Sequence, residues 1–188
     1  GADFAMSIGT IKNRLEAKTA AVQWPIGAED QFKGQIDLIE MKAYLYDGGA
    51  DENYTEIEIP ADLADIAQEK RELLIDTLAQ FDDELAMLYL EGEEIPAEMI
   101  KEVIRKSTLA VQFFPVFCGS AFKNMGVKRM LNGVIDYLPC PLDIEAVKGT
   151  DLNGNEDTRK VSDNEPFSAL AFKVMTDPFV GRLTFFRV

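Results

Sequence analysis

The spacing of apolar residues along this chain predicts four helices. The first is an amphipathic helix that ends near Lys18 and that Asp3 caps. Its apolar residues recur every three or four positions: Phe4, Ile8, Ile11 and Leu15. The longest predicted helix covers residues 61–90, where one stripe at about 100° per residue holds Leu63, Ile66, Leu74, Leu78, Phe81, Leu85 and Leu88. Two shorter helices are predicted over residues 96–109 and 127–138.

Alternating and wholly apolar runs predict the strands. They cover residues 21–26, 35–46, 54–59 and 113–118. The last of these is wholly apolar, which is typical of a central strand. Residues 167–188 predict a hairpin that turns through residues 177–181. Because an isolated two-stranded hairpin is marginal in water, we expect this one to belong to a larger sheet.

Composition narrows the classes of function. The chain has 188 residues, 47% of them hydrophobic, so it can form a sizeable core. Its formal net charge of −14 argues against a nucleic-acid-binding face over most of the surface, and the lack of histidine removes the usual metal ligand. Cys118 and Cys140 have no disulfide or zinc spacing. No apolar run is long enough for a membrane span. We expect a cytoplasmic piece of a longer protein.

Negative charge is concentrated on the longest predicted helix. Its acidic residues are spaced 3, 4, 3, 4 and 7 positions apart and cluster opposite the apolar stripe: Asp62, Asp65, Glu69, Glu72, Asp76 and Asp83. One interpretation is a solvated face that aids solubility. The other is a docking surface for a basic protein, since like charges one turn apart repel and stay uncompensated without a partner.

A second polar segment, residues 151–157, suggests calcium only superficially. An EF-hand loop needs oxygen ligands at positions 1, 3 and 5 and a glycine at position 6. Here Gly154 occupies position 4, and flanking helices are not predicted. Its turn-forming composition favours the tip of a hairpin.

The strongest candidate for ligand chemistry is Gly119-Ser120-Ala121-Phe122-Lys123, which follows the apolar strand directly. Nucleotide-binding α/β folds place ligands at the carboxyl ends of strands. Small residues there let backbone N–H groups approach a purine edge. An ordinary strand-to-helix turn explains the same pattern. The sequence has no G-x-x-x-x-G-K-[ST] loop for phosphates, and without histidine Cys118 lacks the usual base of a nucleophilic pair.

Seven stretches together match one protein family. They are residues 23–27, 41–43, 89–94, 118–124, 134–139, 167–173 and 177–188. On these residues the chain resembles bacterial elongation factor G, the translocation GTPase, over nearly its whole length. The resemblance implies a ribosome-dependent GTPase that moves tRNA and mRNA in protein synthesis. Related translational GTPases, which act in release-factor recycling or ribosome protection, are the alternatives.

The resemblance also implies roles for the candidate loop. Residues 119–123 look like the fifth guanine-nucleotide motif, in which Ala121 offers its N–H to the guanine carbonyl oxygen and Ser120 supports the loop. Phe122 and Lys123 would lie near the base. The parent protein would use GTP or GDP with magnesium. The four earlier motifs are missing, so no catalytic residue or metal ligand carries over, and we expect this segment alone neither to bind nor to hydrolyse GTP.

The implied fold class is α+β: part of an α/β P-loop GTPase domain with an inserted α/β subdomain, followed by the first hairpin of a β-barrel. The implied segments are 1–15 (late helix of the GTPase domain), 16–112 (insert), 113–140 (end of the GTPase domain), 141–164 (linker) and 165–188 (start of domain II). The family's insert meets the ribosomal stalk protein, which favours docking by Asp62, Asp65, Glu69, Glu72 and Asp76. Domain II would meet ribosomal RNA. Neither DNA nor a membrane is an expected partner.

Overall fold

The computed structural model describes residues 1–49, 51–143 and 145–188. They form two compact units, Gly1–Leu138 and Pro139–Val188. Helices occur together with mainly antiparallel strands, so the predicted α+β class is confirmed. None of the helices within the described ranges is long and apolar enough to cross a membrane.

The first unit contains five helices and six strands among its described residues. In chain order they are α1 (Phe4–Leu15), β1 (Thr19–Ala21), β2 (Gln23–Ile26), β3 (Gly34–Asp37), β4 (Lys42–Tyr46), β5 (Tyr54–Ile57), α2 (Ala64–Leu78), α3 (Asp83–Glu91), α4 (Ala97–Leu109), β6 (Phe114–Val116) and α5 (Val127–Tyr137). β2 to β5 form an antiparallel sheet in that order, and β1 pairs with β6 in parallel. The predicted cap of α1 is confirmed: the Asp3 carboxylate accepts the Met6 N–H at 2.8 Å.

Residues 21–26, predicted as one strand, are divided between the two sheets at Val22. Its N–H donates to the Val116 carbonyl at 2.9 Å, and its own carbonyl accepts the Leu38 N–H at 3.0 Å. The chain therefore passes from the parallel pair into the antiparallel sheet without an intervening loop. This continuity places β2 beside the chain that leaves β6.

The predicted strand over residues 35–46 is wrong in one respect, because it is a hairpin of β3 and β4. The Asp37 carboxylate accepts the N–H groups of Ile39 at 2.9 Å and Glu40 at 3.0 Å, and Met41 has a positive φ of 53°. A short side chain that bonds to nearby backbone stabilises such a turn. The apolar residues that continue through the turn concealed it in the sequence.

The long helix predicted over residues 61–90 is also divided, into α2 and α3. Asp82 adopts an extended conformation (φ −146°, ψ 120°), and its carboxylate accepts the Leu85 N–H at 3.1 Å as an N-cap. This local bond competes with the continuous helix. The apolar stripe persists across the break, since Leu78 and Leu85 are both fully buried.

The core of the first unit lies where α2 and α4 meet the strands. Leu74, Ile100 and Ile104 are fully buried, as is Ile36 on β3. Arg71 on α2 fastens this layer to the β3–β4 turn, because its guanidinium donates to three backbone carbonyls. They belong to Leu38 (2.8 Å), Ile39 (2.5 Å) and Ile95 (3.3 Å).

The second unit contains two hairpins. β7 (Val147–Thr150) pairs with β8 (Glu156–Arg159), and β9 (Leu170–Asp177) pairs with β10 (Gly181–Arg187). The β9–β10 pair confirms the hairpin predicted for residues 167–188, but among the described residues it has no third strand, so the larger sheet that was expected is not seen there. The β7–β8 hairpin lies within residues 141–164, the predicted linker, which therefore contains regular secondary structure. Its tip is the segment 151–155, where the Asp151 carboxylate accepts backbone N–H groups, so the hairpin-tip interpretation is confirmed.

Replacing Asp82 tests whether this residue sets the break between α2 and α3. Asp82→Ala should lower the free energy of unfolding by about 0.5–2 kcal/mol, the usual cost of a lost N-cap. The Leu85 N–H and then Lys106 hold the pKa of the Asp82 carboxyl below its ordinary value of 3.8. Its stabilisation is therefore complete above that value and lost as the pH falls through the lower folded-state pKa.

Urea denaturation of wild type and Asp82→Asn, from pH 7 down to pH 2, measures this dependence. The stability gap between the two should shrink below about pH 4, where the wild-type carboxyl becomes neutral like the amide. Asp76→Asn, on the exposed face of α2, is the matched control. A gap for Asp82→Asn that stays constant with pH would contradict this role.

Candidate functional site

The sequence-predicted loop lies directly after β6 and is closed by two reciprocal backbone hydrogen bonds. The Ser120 N–H donates to the Met125 carbonyl at 2.9 Å, and the Met125 N–H donates to the Ser120 carbonyl at 3.0 Å. Within the loop, the Asn124 N–H donates to the Ala121 carbonyl at 3.1 Å, and Ser120 Oγ accepts the Lys123 N–H at 3.3 Å. Ser120 therefore makes three of the hydrogen bonds that close the loop.

The tip of the loop contains two backbone N–H donors without a partner among the described residues. Among the hydrogen bonds of the described residues, none uses the backbone N–H of Ala121 or Phe122. Both residues are exposed, and the Phe122 side chain is fully so. Two adjacent donors and an exposed aromatic ring are thus available to an approaching acceptor and ring system.

The fourth predicted residue, Lys123, points elsewhere. Its ammonium donates to the backbone carbonyls of Glu29 at 3.4 Å and Asp30 at 3.1 Å, in the short turn between β2 and β3. The structure therefore brings Ser120, Ala121 and Phe122 together at the tip. Lys123 instead ties the loop to the connection between β2 and β3 of the β2–β5 sheet.

A polar cluster that the sequence analysis missed lies beneath the loop. Gln35 Nε2 donates to Gln23 Oε1 at 2.7 Å and to the Cys118 carbonyl at 3.2 Å. Gln35 Oε1 accepts the Tyr46 hydroxyl at 2.7 Å, and Gln23 Oε1 also accepts the Cys118 N–H at 3.4 Å. All four residues are buried. Burial raises the pKa of the Cys118 thiol to about 12 and also raises the pKa of Tyr46, so both stay neutral near pH 7.

Helix α5, which follows the loop, receives its cap from a distant residue. Its N-cap position is Gly126, with φ 83° and no side chain to accept a hydrogen bond. Both carboxylate oxygens of Glu52 accept the Lys128 N–H, at 2.9 and 3.0 Å. Glu52 is buried, and its side chain meets the positive end of the helix from the loop between β4 and β5.

Arg129 makes a further connection between α5 and the β2–β5 sheet. Its guanidinium pairs with Asp37 at 2.5 Å and lies over the Tyr44 ring, 3.7 Å from the centroid. Burial is the largest single influence and lowers the pKa of Arg129, but the Asp37 carboxylate together with Tyr44 and Tyr46 outweighs it, and the pKa is raised. The guanidinium therefore stays charged in a largely buried position.

The predicted acidic surface is exposed but is not on one continuous helix. Asp62 lies in a short 3-10 turn, whereas Asp65, Glu69, Glu72 and Asp76 lie on α2. Their compensation is slight and local: the Gln68 amide donates to Glu72 at 3.0 Å, and the neighbouring Lys70 ammonium pairs with Glu69 at 2.6 Å. Lys70 also lies 5.1 Å from the centre of the Trp24 ring, so its stem is covered.

Neither predicted site contains a group of side chains, among the described residues, that could form a metal centre. Across residues 1–49, 51–143 and 145–188, no three or more Asp, Glu or Cys side chains are grouped so that they could hold a metal ion. What the described residues do offer is a loop with free backbone donors and an acidic helix face.

Comparison with known proteins supports the fold. No protein-family model matches the chain. A crystal structure of a protein from Thermus thermophilus is similar, with a TM-score of 0.74 and 23% sequence identity over 100% of this chain. The match covers 25% of that protein, so the chain spans about a quarter of its length. At this identity the likeness concerns the fold alone: the α+β fold described above recurs in a larger protein.

Proposed function

We infer that this chain is a segment of a translational GTPase of the elongation factor G type, in which residues 119–123 recognise the guanine base. The observation that carries the proposal is the N–H of the exposed Ala121, which has no partner among the described residues and lies in the loop that follows β6. A guanine carbonyl oxygen is an acceptor that suits such a donor. The family's matching stretches, which include residues 118–124, support the same assignment.

The inferred activity of the parent is GTP hydrolysis coupled to movement of tRNA and mRNA on the ribosome. The residues of the present chain would supply base recognition only. Phosphate binding, magnesium ligation and hydrolysis need the family's earlier motifs, which these 188 residues do not contain. Release-factor recycling and ribosome protection are the alternatives within the same class.

The second candidate function is docking of a basic protein, and the observation that favours it is the exposed row of acidic residues on α2. Four carboxylates on successive turns create a negative field that one neighbouring lysine offsets only in part. By the family resemblance, the partner would be the carboxyl-terminal domain of the ribosomal stalk protein.

Nucleotide titration tests whether this chain supplies base contacts without phosphate binding. Isothermal titration of GDP into the 188-residue chain at millimolar concentration should give no micromolar affinity, because the loop supplies base contacts without a phosphate site. Titration of ADP is the control for non-specific binding. Micromolar affinity for GDP would overturn this expectation and assign the phosphate contacts to residues within the chain.

Charge reversal tests the docking surface. The triple variant Glu69→Lys, Glu72→Lys and Asp76→Lys should weaken binding to the isolated stalk domain by at least about tenfold, since like charges then face a basic partner. Binding of the wild type should also weaken as salt rises. Fluorescence anisotropy with labelled stalk domain measures both effects.

A matched control keeps the change in net charge the same. Reversal of three exposed acidic residues in the second unit, Glu145, Glu156 and Asp163, should leave stalk binding nearly unchanged. Equal losses in the two triple variants would attribute the effect to net charge, and unchanged affinity in the α2 variant would leave the acidic row as solvated surface.

A further inference from the structure

Both ends of the loop 119–125 contact the same side chain, that of Gln35 on β3. At the start of the loop, Gln35 Nε2 donates to the Cys118 carbonyl at 3.2 Å. At its end, the Gln35 amide packs against Gly126, where a Cβ would lie 2.7 Å from Gln35 Oε1. The contact leaves room only for glycine, and Gly126 also needs glycine for its φ of 83°.

Gln35 and Gln23 together form hydrogen bonds to the Cys118 backbone like those that a neighbouring strand would form. Gln23 Oε1 accepts the Cys118 N–H at 3.4 Å, and Gln35 Nε2 donates to the Cys118 carbonyl. A backbone peptide group is thereby paired on both of its polar atoms by side-chain amides. The pairing fixes where the chain lies as it enters the loop.

The orientation of the Gln35 amide is determined by its partners. Its two N–H groups are used by Gln23 Oε1 and the Cys118 carbonyl, and its oxygen accepts the Tyr46 hydroxyl at 2.7 Å. With the amide reversed, its oxygen would face two other acceptors. Gln35 is fully shielded from solvent and Gln23 nearly so, so unpaired atoms there would be costly. The network therefore has one favourable arrangement.

We propose that Gln35 is a positioning residue that sets the conformation of the loop 119–125 and so aims the Ala121 and Phe122 N–H groups. The ligand consequence rests on the proposed function, in which those donors meet guanine. The mechanical part does not, because it concerns the closed form of the loop without any ligand. The β2–β5 sheet, which carries Gln35, would then act as a brace, that is, it would hold the base-recognition loop in one conformation.

Hydrogen exchange on the 188-residue chain tests the brace. In Gln35→Met, which has similar size but no amide, the N–H groups of Ser120 and Met125 should exchange at least about tenfold faster than in wild type, the equivalent of about one net hydrogen bond. Amides of α2 and α4 should exchange at rates that follow global stability only. NMR resolves these amides individually.

The matched control is Thr77→Val, which removes a buried hydroxyl that donates to the Leu73 carbonyl in α2. It lowers stability without touching the loop. If Gln35→Met and Thr77→Val, compared at equal global stability, show the same exchange at Ser120 and Met125, Gln35 has only a general structural role and the proposal is wrong.

A milder variant keeps the test decisive if Gln35→Met fails to fold. Tyr46→Phe removes only the hydroxyl that orients the Gln35 amide, and it should speed exchange at the same two amides by a smaller factor. Unchanged exchange there would also overturn the proposal. Because no nucleotide is used, failure of the brace is distinguishable from failure of guanine recognition, which the GDP titration reports separately.

Discussion

The arrangement of the first unit depends on Val22, which lies between β1 and β2 and whose backbone is hydrogen-bonded to both sheets. Its N–H donates to the carbonyl of Val116, the last residue of β6, and its carbonyl accepts the N–H of Leu38, just after β3. Since residues 19–26 cross from the parallel pair to the antiparallel sheet without a loop, the two sheets cannot turn freely about the connection. The parallel register of β1 and β6, with Ala21 opposite Val116, then places Gln23 beside Cys118.

This placement explains why polar groups lie in the interior beneath the loop. A strand that leaves its sheet exposes an unpaired peptide, and burying that peptide without partners is costly. The β2–β5 sheet supplies the partners from side chains, through Gln23 and Gln35. The loop between β4 and β5 of the same sheet supplies Glu52 to helix α5, whose glycine N-cap has no side chain of its own. The tight turn at Gly126 and the remote cap are thus two consequences of one close approach.

The local features were predictable from sequence, and the long-range ones were not. Helix α1 and its Asp3 cap, and helices α4 and α5, follow from apolar spacing and capping signals within a few residues. The divisions at Asp37 and Asp82 were missed because each depends on one carboxylate, while the apolar pattern continues past it. At the site, the position of the loop after β6 was predictable. Its brace was not, because Gln23 and Gln35 resemble solvent-facing strand residues and bond to a residue 83 or more positions away.

Three cations lie beside the loop, and their bonding partners affect which part of a nucleotide the loop would contact under the proposed function. Lys123 donates to two backbone carbonyls, the Lys128 ammonium to the Asp51 carbonyl at 2.5 Å, and Arg129 pairs with Asp37. Each of these cations already has protein acceptors, so a phosphate would have to displace them. Unpaired backbone donors at Ala121 and Phe122 instead favour a neutral acceptor such as a base carbonyl. Under the proposed function, a loop that offers neutral donors while its cations are engaged would recognise the base, and residues outside it would bind the phosphates.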